Sequence, residues 1–444
     1  MKKISLSVFS FLALCILLCT ACSDDAQYKA DLSQIERTIY ITRDSLGAET
    51  WFEVEKNETV KIYFDSKVRA WETSLNTEIL GDSCLKFQVP TLIGVSTINV
   101  KFPDSDSSYK IKLAVGMKYL DFNKDEILLG YNEYKRKKPL RIRGIKKHLD
   151  EEDPERIVSI TGTYLVDKYP VTNCEITQLM WDSISMEPSF NNPRLQQFAE
   201  ERMFRKKNSE YNKNCITKDT AACTIFLLQA MKYANARSIR EGIKPYYRFS
   251  KTNIKNQTIL SKGKYIIGGF YIKNRTSDFV EVSIDYTSDG YRLPFYDEWM
   301  MLARGGDKKN KAPWGDSSAS FDEASKYARF DTWEIFDVSE PVGQLQPNGY
   351  GLYDMFGLVW EHVLFEEKNP FHYLEGRPAC LKGGDSHVKK NKESFGLDPY
   401  WKDINYGYYK DNYVGGSPAG FRLIRNIGNN AKWSNDKVQK RKQK

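Results

Sequence analysis

Four motifs rich in glycine, aromatic and charged residues follow one another near the C-terminal end of this 444-residue chain: GYRLPFYDEW (Gly290 to Trp299), PNGYGLYDMFGLVWE (Pro347 to Glu361), KGGDSH (Lys382 to His387) and GFRLIR (Gly420 to Arg425). Glycine permits turns that other residues resist, and large rings supply most of a core's buried area, so an ordered series of this kind fixes turns and core together. In GYRLPFYDEWMMLARGG, Arg292 and Pro294 lead into a helix whose start is favoured by Asp297 and Glu298 at its positive end. Trp299 and Leu302 share one face of that helix. The pattern reads as architecture, with an arginine paired to a carboxylate and a tryptophan in the core.

Together the motifs resemble the sulfatase-modifying-factor family, whose best-known members are formylglycine-generating enzymes. Earlier landmarks agree: MKYLDFNKDEILLG (Met117 to Gly130) looks like the family's opening strand pair, and TYLVDKYPVTNCEITQLMWDSI (Thr163 to Ile184) like a strand running through a turn into a helix capped by Thr172 or Asn173. A helix ending before Gly242 follows, and the strand-like pieces between Phe249 and Asp289 read as a hairpin insertion. The resemblance covers Gly116 to Asn426. It implies a fold of α+β class: a formylglycine-generating-enzyme-like, C-type-lectin-related mixed domain.

Enzymes of this family oxidise a substrate cysteine using two cysteines that bind copper, placed just after the GG of the KGGDSH-like motif. Here no cysteine follows Cys380. Copper(I) needs soft thiolates, so copper is not expected and no catalytic residue is assigned. His387 and Asp385 offer a harder alternative metal pair, though a lone His beside an Asp also reads as an ordinary hydrogen-bonded pair. In place of the thiols stand Tyr400, Trp401, Tyr406, Tyr408, Tyr409 and Asp411. Aromatic faces beside polar groups suit a glycan or a protein partner, or equally a loop packed on its own domain.

DMFGLVWE (Asp354 to Glu361) offers hard oxygens around a glycine turn, the mixture calcium prefers. The resemblance implies calcium ligands at Asp354, Glu361 and the carbonyls of Gly357 and Val359. The alternative is a rigid turn held by the same carboxylates. A second calcium site of the family would fall near Arg329 and Phe330, where a cation replaces a ligand.

The N-terminal part is of another kind. Residues 1–22 read as a signal, with Lys2 and Lys3, an apolar run from Ile4 to Leu18, and small residues before Cys22. The run is short for a membrane span, and the pattern resembles a bacterial lipoprotein signal with lipidation at Cys22. This implies anchorage in the cell envelope, at the outer membrane or cell surface. Residues 23–115 alternate apolar and polar positions in short runs such as VKIYF (Val60 to Phe64), which predicts a small all-β immunoglobulin-like sandwich ahead of the domain at 116–428, with a basic tail at 429–444.

The net charge of +8 is concentrated in two basic blocks, Lys135 to Lys147 and Lys437 to Lys444. On an exported chain this argues for a solvated surface and against nucleic acid as a partner. Past Cys22 there are five cysteines, Cys84, Cys174, Cys215, Cys223 and Cys380, an odd number that cannot all pair within one chain. Their spacing suggests no zinc site, and Cys215 with Cys223 are read either as a loop disulfide or as two free thiols.

Overall fold

The structure, a computed structural model, describes residues 36–129, 156–176, 178–179, 220–222, 225, 227–254, 258–259, 263–268, 271–272, 275–276, 279–306, 312–314, 321–329, 341–366, 379–384 and 419–428. The first eight strands form two sheets: β1 (Glu36–Ile41), β2 (Glu49–Val54), β3 (Thr59–Phe64), β4 (Ala70–Thr73), β5 (Thr77–Ile79), β6 (Cys84–Gln88), β7 (Gly94–Lys101) and β8 (Ser108–Val115). One sheet has the order β1-β3-β6-β5 and the other β2-β8-β7-β4. Alternation makes the strands: in β3, Val60, Ile62 and Phe64 turn inward while Thr59, Lys61 and Tyr63 turn out. The inward rows of both sheets share one core, where Ile39, Ile62 and Leu85 meet Ile98, Ile111 and Leu113.

A single residue, Gly116, joins β8 to β9 (Met117–Leu129). It adopts φ 63°, the left-handed conformation that glycine tolerates best. β9 pairs antiparallel with β10 (Arg156–Asp167), with a register shift between Ile160 and Gly162. One long strand thus stands where the sequence suggested a strand pair. β20 (Ile424–Ile427) adds to the far side of β10.

Helix α1 (Leu227–Arg240) buries Leu227, Met231 and Ala234, and ends before Gly242 as its sequence predicts. Asn235 clamps the next strand, donating to the Tyr247 carbonyl at 2.7 Å and accepting the Tyr247 amide at 3.1 Å. The inserted strands are β11 (Tyr247–Lys251), β12 (Thr258–Ile259), β13 (Lys264–Gly268), β14 (Tyr271–Ile272), β15 (Arg275–Thr276) and β16 (Phe279–Ile284). They form a sheet β11-β16-β13-β12 and a separate β14-β15 pair. Helices α2 (Tyr296–Arg304) and α3 (Phe321–Ser325) precede β17 (Trp360–Leu364), β18 (Ala379–Lys382) and β19 (Ala419–Gly420), ordered β18-β17-β19. Among the described residues no helix is long and apolar enough to cross a membrane.

The two β1–β8 sheets meet the remainder through charged groups. Glu53 of β2 accepts the Tyr119 amide at 3.0 Å and the Lys118 ammonium, and Glu55 pairs with Lys168. In the other direction Glu175 accepts the Ile93 amide at 3.0 Å, Glu241 accepts the Val95 amide at 3.2 Å, and Arg240 donates to the Ile93 carbonyl. Gly94 lets these groups in, because a Cβ there would lie 2.3 Å from Glu241 Oε1 and 2.4 Å from Arg240 Nη2. Reciprocal acceptors of this kind satisfy strand-end amides that would otherwise be buried without partners.

Candidate functional site

The glycine- and aromatic-rich motifs converge on Glu361, in the central strand β17. Its Oε2 accepts the Trp299 indole N–H at 2.7 Å, and the Arg422 guanidinium donates from Nη2 to Oε1 at 2.7 Å and from Nε to both oxygens at 2.8 and 2.9 Å. The remaining Arg422 donors reach the carbonyls of Tyr353, Asp167 and Lys168. One arginine therefore ties GYRLPFYDEW, GLYDMFGLVWE and GFRLIR to the strand that carries Asp167. Both members of the pair are almost fully buried. Such a pair holds geometry well but cannot release either charge cheaply.

Two more buried pairs flank it. Asp167 Oδ1 receives Arg237 Nη1 at 2.6 Å, while its Oδ2 accepts the Leu423 amide at 3.0 Å. Burial pushes the Asp167 carboxyl up to about 6, with the Arg237 charge opposing the shift. Arg292 makes a two-pronged contact with Glu298 at 2.6 and 2.7 Å, and Glu298 also accepts the Phe295 amide that opens α2. The Arg–carboxylate pair and the buried Trp299 expected from the sequence are both present. Beside them Lys382 places its ammonium 3.8 Å from the centre of the Tyr296 ring, and His362 Nε2 lies 2.6 Å from the Ile225 carbonyl.

The loop before β17 is strained. Asp354 and Leu358 adopt φ 54° and 59°, and Gly357 between them φ 73°. Left-handed conformations at non-glycine residues persist only where the surroundings enforce them. Gly357 lies against Arg329, whose carbonyl would be 2.2 Å from an added Cβ, and its amide donates to the Gly383 carbonyl at 2.8 Å. This contact joins the turn to the KGG motif.

Of the expected calcium ligands, Asp354 keeps the hard-oxygen chemistry, and its Oδ2 accepts the Gly343 amide at 2.5 Å. Gly357 and Val359 lie on the strained turn that would aim their carbonyls. Glu361 carries contacts the sequence did not suggest, with Arg422 and Trp299 donating to its two oxygens. Among the described residues no three His, Cys, Asp or Glu side chains gather as a metal site.

The loop candidates Tyr400, Trp401, Tyr406, Tyr408, Tyr409 and Asp411, the alternative metal pair Asp385 and His387, and the lipidation candidate Cys22 lie outside the described residues. The ends of the loop are placed, however. β18 runs antiparallel to β17 with Lys382 opposite Glu361, and β19 runs parallel on the other side with Gly420 opposite the same residue. The chain between Gly384 and Ala419 thus leaves and returns on the two flanks of Glu361, a rigid base for a variable segment.

Sequence reasoning missed the long-range pairs Glu361–Arg422 and Asp167–Arg237, which no local spacing reveals. It also left open the state of the cysteines. Cys174 is disulfide-bonded, whereas Cys84 is a buried free thiol. Thr172 caps the helix carrying Cys174: its Oγ1 accepts the Glu175 amide at 3.3 Å and Glu175 Oε2 accepts the Thr172 amide at 3.2 Å. Of the two caps the sequence left open, Thr172 and Asn173, the structure thus has Thr172 in a capping box.

Comparison with known proteins places these motifs. Residues 127–427 match the family model described as the sulfatase-modifying factor enzyme 1-like domain. The formylglycine-generating enzyme of Mus musculus is 27% identical over 258 residues, 54% of this chain and 62% of that protein. The chaperone protein LppX of Paenibacillus barcinonensis is 30% identical over 145 residues, 30% of this chain and 47% of that protein. The inactive C-alpha-formylglycine-generating enzyme 2 of Mus musculus is 40% identical over 77 residues, 16% of this chain and 25% of that protein. In each case the aligned part spans less than two thirds of the relative. The chain belongs to the sulfatase-modifying factor enzyme 1-like domain family.

Proposed function

We propose that this protein is a non-catalytic member of the family, held in a bacterial cell envelope by a lipid on Cys22 and binding a glycan or an envelope protein through the segment between β18 and β19. The observation that carries this is the sequence after Gly384, which holds no cysteine where the family's oxidases bind copper. Without two thiolates there is no soft site to hold copper(I). Relatives named as inactive formylglycine-generating enzymes support the reading. So does the Cys174 disulfide, since such bonds persist in oxidising compartments outside the cytosol.

In this reading the β1–β8 sheets form an immunoglobulin-like module, and the larger domain a C-type-lectin-related platform on which Tyr400 to Tyr413 serve recognition. The strained turn is the place for a structural calcium ion, with Asp354, Glu361 and the carbonyls of Gly357 and Val359 as its ligands. Nucleic acid has no part in it.

The test is metal content and oxidase activity of the purified full chain, with copper offered under reducing conditions, beside pull-down from envelope extracts. No retained copper or iron and no cysteine oxidation, with partner or glycan capture that Tyr406→Ala and Tyr408→Ala weaken, supports the proposal. Stoichiometric copper or iron that His387→Ala releases overturns it and makes the protein an oxidoreductase with a rearranged metal centre at Asp385 and His387.

A further inference from the structure

The outward face of the β1-β3-β6-β5 sheet carries a cluster that none of the contacts above uses. Tyr40 is 80% exposed, the most exposed of the large apolar side chains among the described residues. It stacks on Tyr63, its register partner across the parallel β1–β3 pair, with ring centres 5.5 Å apart and planes 21° from parallel. Among the described residues β1 is the edge strand of its sheet, and no described strand flanks the other side of the Tyr40 ring. On its other side Tyr63 is flanked by Cys84 of β6, its register partner across the antiparallel β3–β6 pair. The rings are therefore stacked, backed and open on one side.

Two residues along the strands, about 7 Å away at the usual strand rise, runs a polar row. Thr38 of β1 pairs in register with Lys61 of β3, Lys61 with Lys86 of β6, and Lys86 with Glu78 of β5. Glu36 completes the row, 2.5 Å from Lys61 and 3.4 Å from Lys86. Two ammonium groups thus stand among two carboxylates and a hydroxyl. The row has no net charge, so it sets up no field for a phosphate or an acidic peptide. Its charged side chains also break the continuous apolar surface that a partner sheet needs. A ring face beside donors and acceptors fixed in place matches a pyranose, whose C–H face stacks while its hydroxyls both give and accept hydrogen bonds.

We propose that the Tyr40 ring, with Thr38, Lys61 and Glu36 beside it, is a binding site for a neutral polysaccharide. This site is separate from the segment between β18 and β19 and does not depend on what that segment binds. The strands place the aromatic ring and the polar row about 7 Å apart along β1, so a linear chain laid along the strand meets both.

The test is native affinity electrophoresis of the full chain in detergent, through gels containing galactomannan, xylan, mixed-linkage β-glucan or yeast mannan. Retardation by at least one of these is expected, weakened tenfold or more by Tyr40→Ala and restored by Tyr40→Phe. The exposed position makes Tyr40→Ala neutral for folding, which an unchanged melting temperature verifies. Equal retardation of wild type and Tyr40→Ala, or no retardation in any gel, overturns the proposal. Dimerisation by light scattering that depends on Tyr40 overturns it as well, since the edge then serves strand pairing between copies.

Discussion

Asp167 and Arg237, 70 residues apart, meet at 2.6 Å with no solvent exposure on either side chain. The pair joins α1 to the end of β10, and through the Leu423 amide to the chain leading into β20. Removing one partner of such a pair leaves an uncompensated charge, at a cost of about 3–5 kcal/mol. Arg237→Met is expected to lower stability by that order at pH 8. The deficit shrinks towards pH 5, because the Asp167 carboxyl, already raised by burial, is protonated there and needs no counter-charge. Urea unfolding at the two pH values measures it, and a deficit independent of pH would contradict the account.

His362 predicts the opposite dependence on acid. Burial lowers its pKa from 6.5 to about 4, so the folded protein keeps the ring neutral. A group lowered in this way adds stability above its unfolded pKa of 6.5, and that contribution is lost as pH falls through 4. The full effect is about 3 kcal/mol. His362→Gln retains a donor for the Ile225 carbonyl without titrating. Its stability is expected to fall less than that of wild type between pH 7 and 4.5, with Asp167 cancelling between the two proteins. Parallel pH curves would remove His362 from the account.

Cys174 anchors the first turn of its helix, next to Glu175, which accepts the Ile93 amide. Peptide mapping without reductant should find Cys174 in a cross-linked peptide and Cys84 as a thiol that reacts only on unfolding. Cys174→Ser is expected to cost about 2–5 kcal/mol. An unlinked Cys174 in protein exported to an oxidising compartment would refute the assignment.

Gly94 tests the junction between the two parts. In Gly94→Ala the new methyl displaces Glu241 and Arg240, and the Val95 amide and Ile93 carbonyl lose their partners. Each buried group left unsatisfied costs about 1–3 kcal/mol. Faster proteolysis near Gly94 is expected, with the β1–β8 core intact; a cleavage pattern identical to wild type would show that the contacts hold nothing.

Calcium at the strained turn is checked by thermal shift. Millimolar calcium is expected to raise the melting temperature of wild type and leave Asp354→Asn unchanged. If wild type responds to neither calcium nor chelator, the turn is held by its own backbone contacts alone.

What the sequence disclosed follows the range of the interactions involved. Arg292 and Glu298 sit six positions apart in one motif, and their pairing was readable because a helix start places them together. The alternation in β3 and the helix cap, narrowed to Thr172 or Asn173, were local in the same sense. The contact between Glu361 and Arg422 was not readable, because the two lie 61 positions apart and only strand pairing brings them near. Tyr40 and Tyr63 also passed unnoticed: each is an ordinary outward position of a strand, and only the parallel β1–β3 register makes them a stack.

Gly116 leaves no slack between the β1–β8 sheets and the rest of the chain. A tether attached ahead of β1 would therefore not act as a rope with a weight at its end. Tension applied there passes into β2 and β9 as shear across the contacts of Glu53, Glu55, Glu175, Arg240 and Glu241.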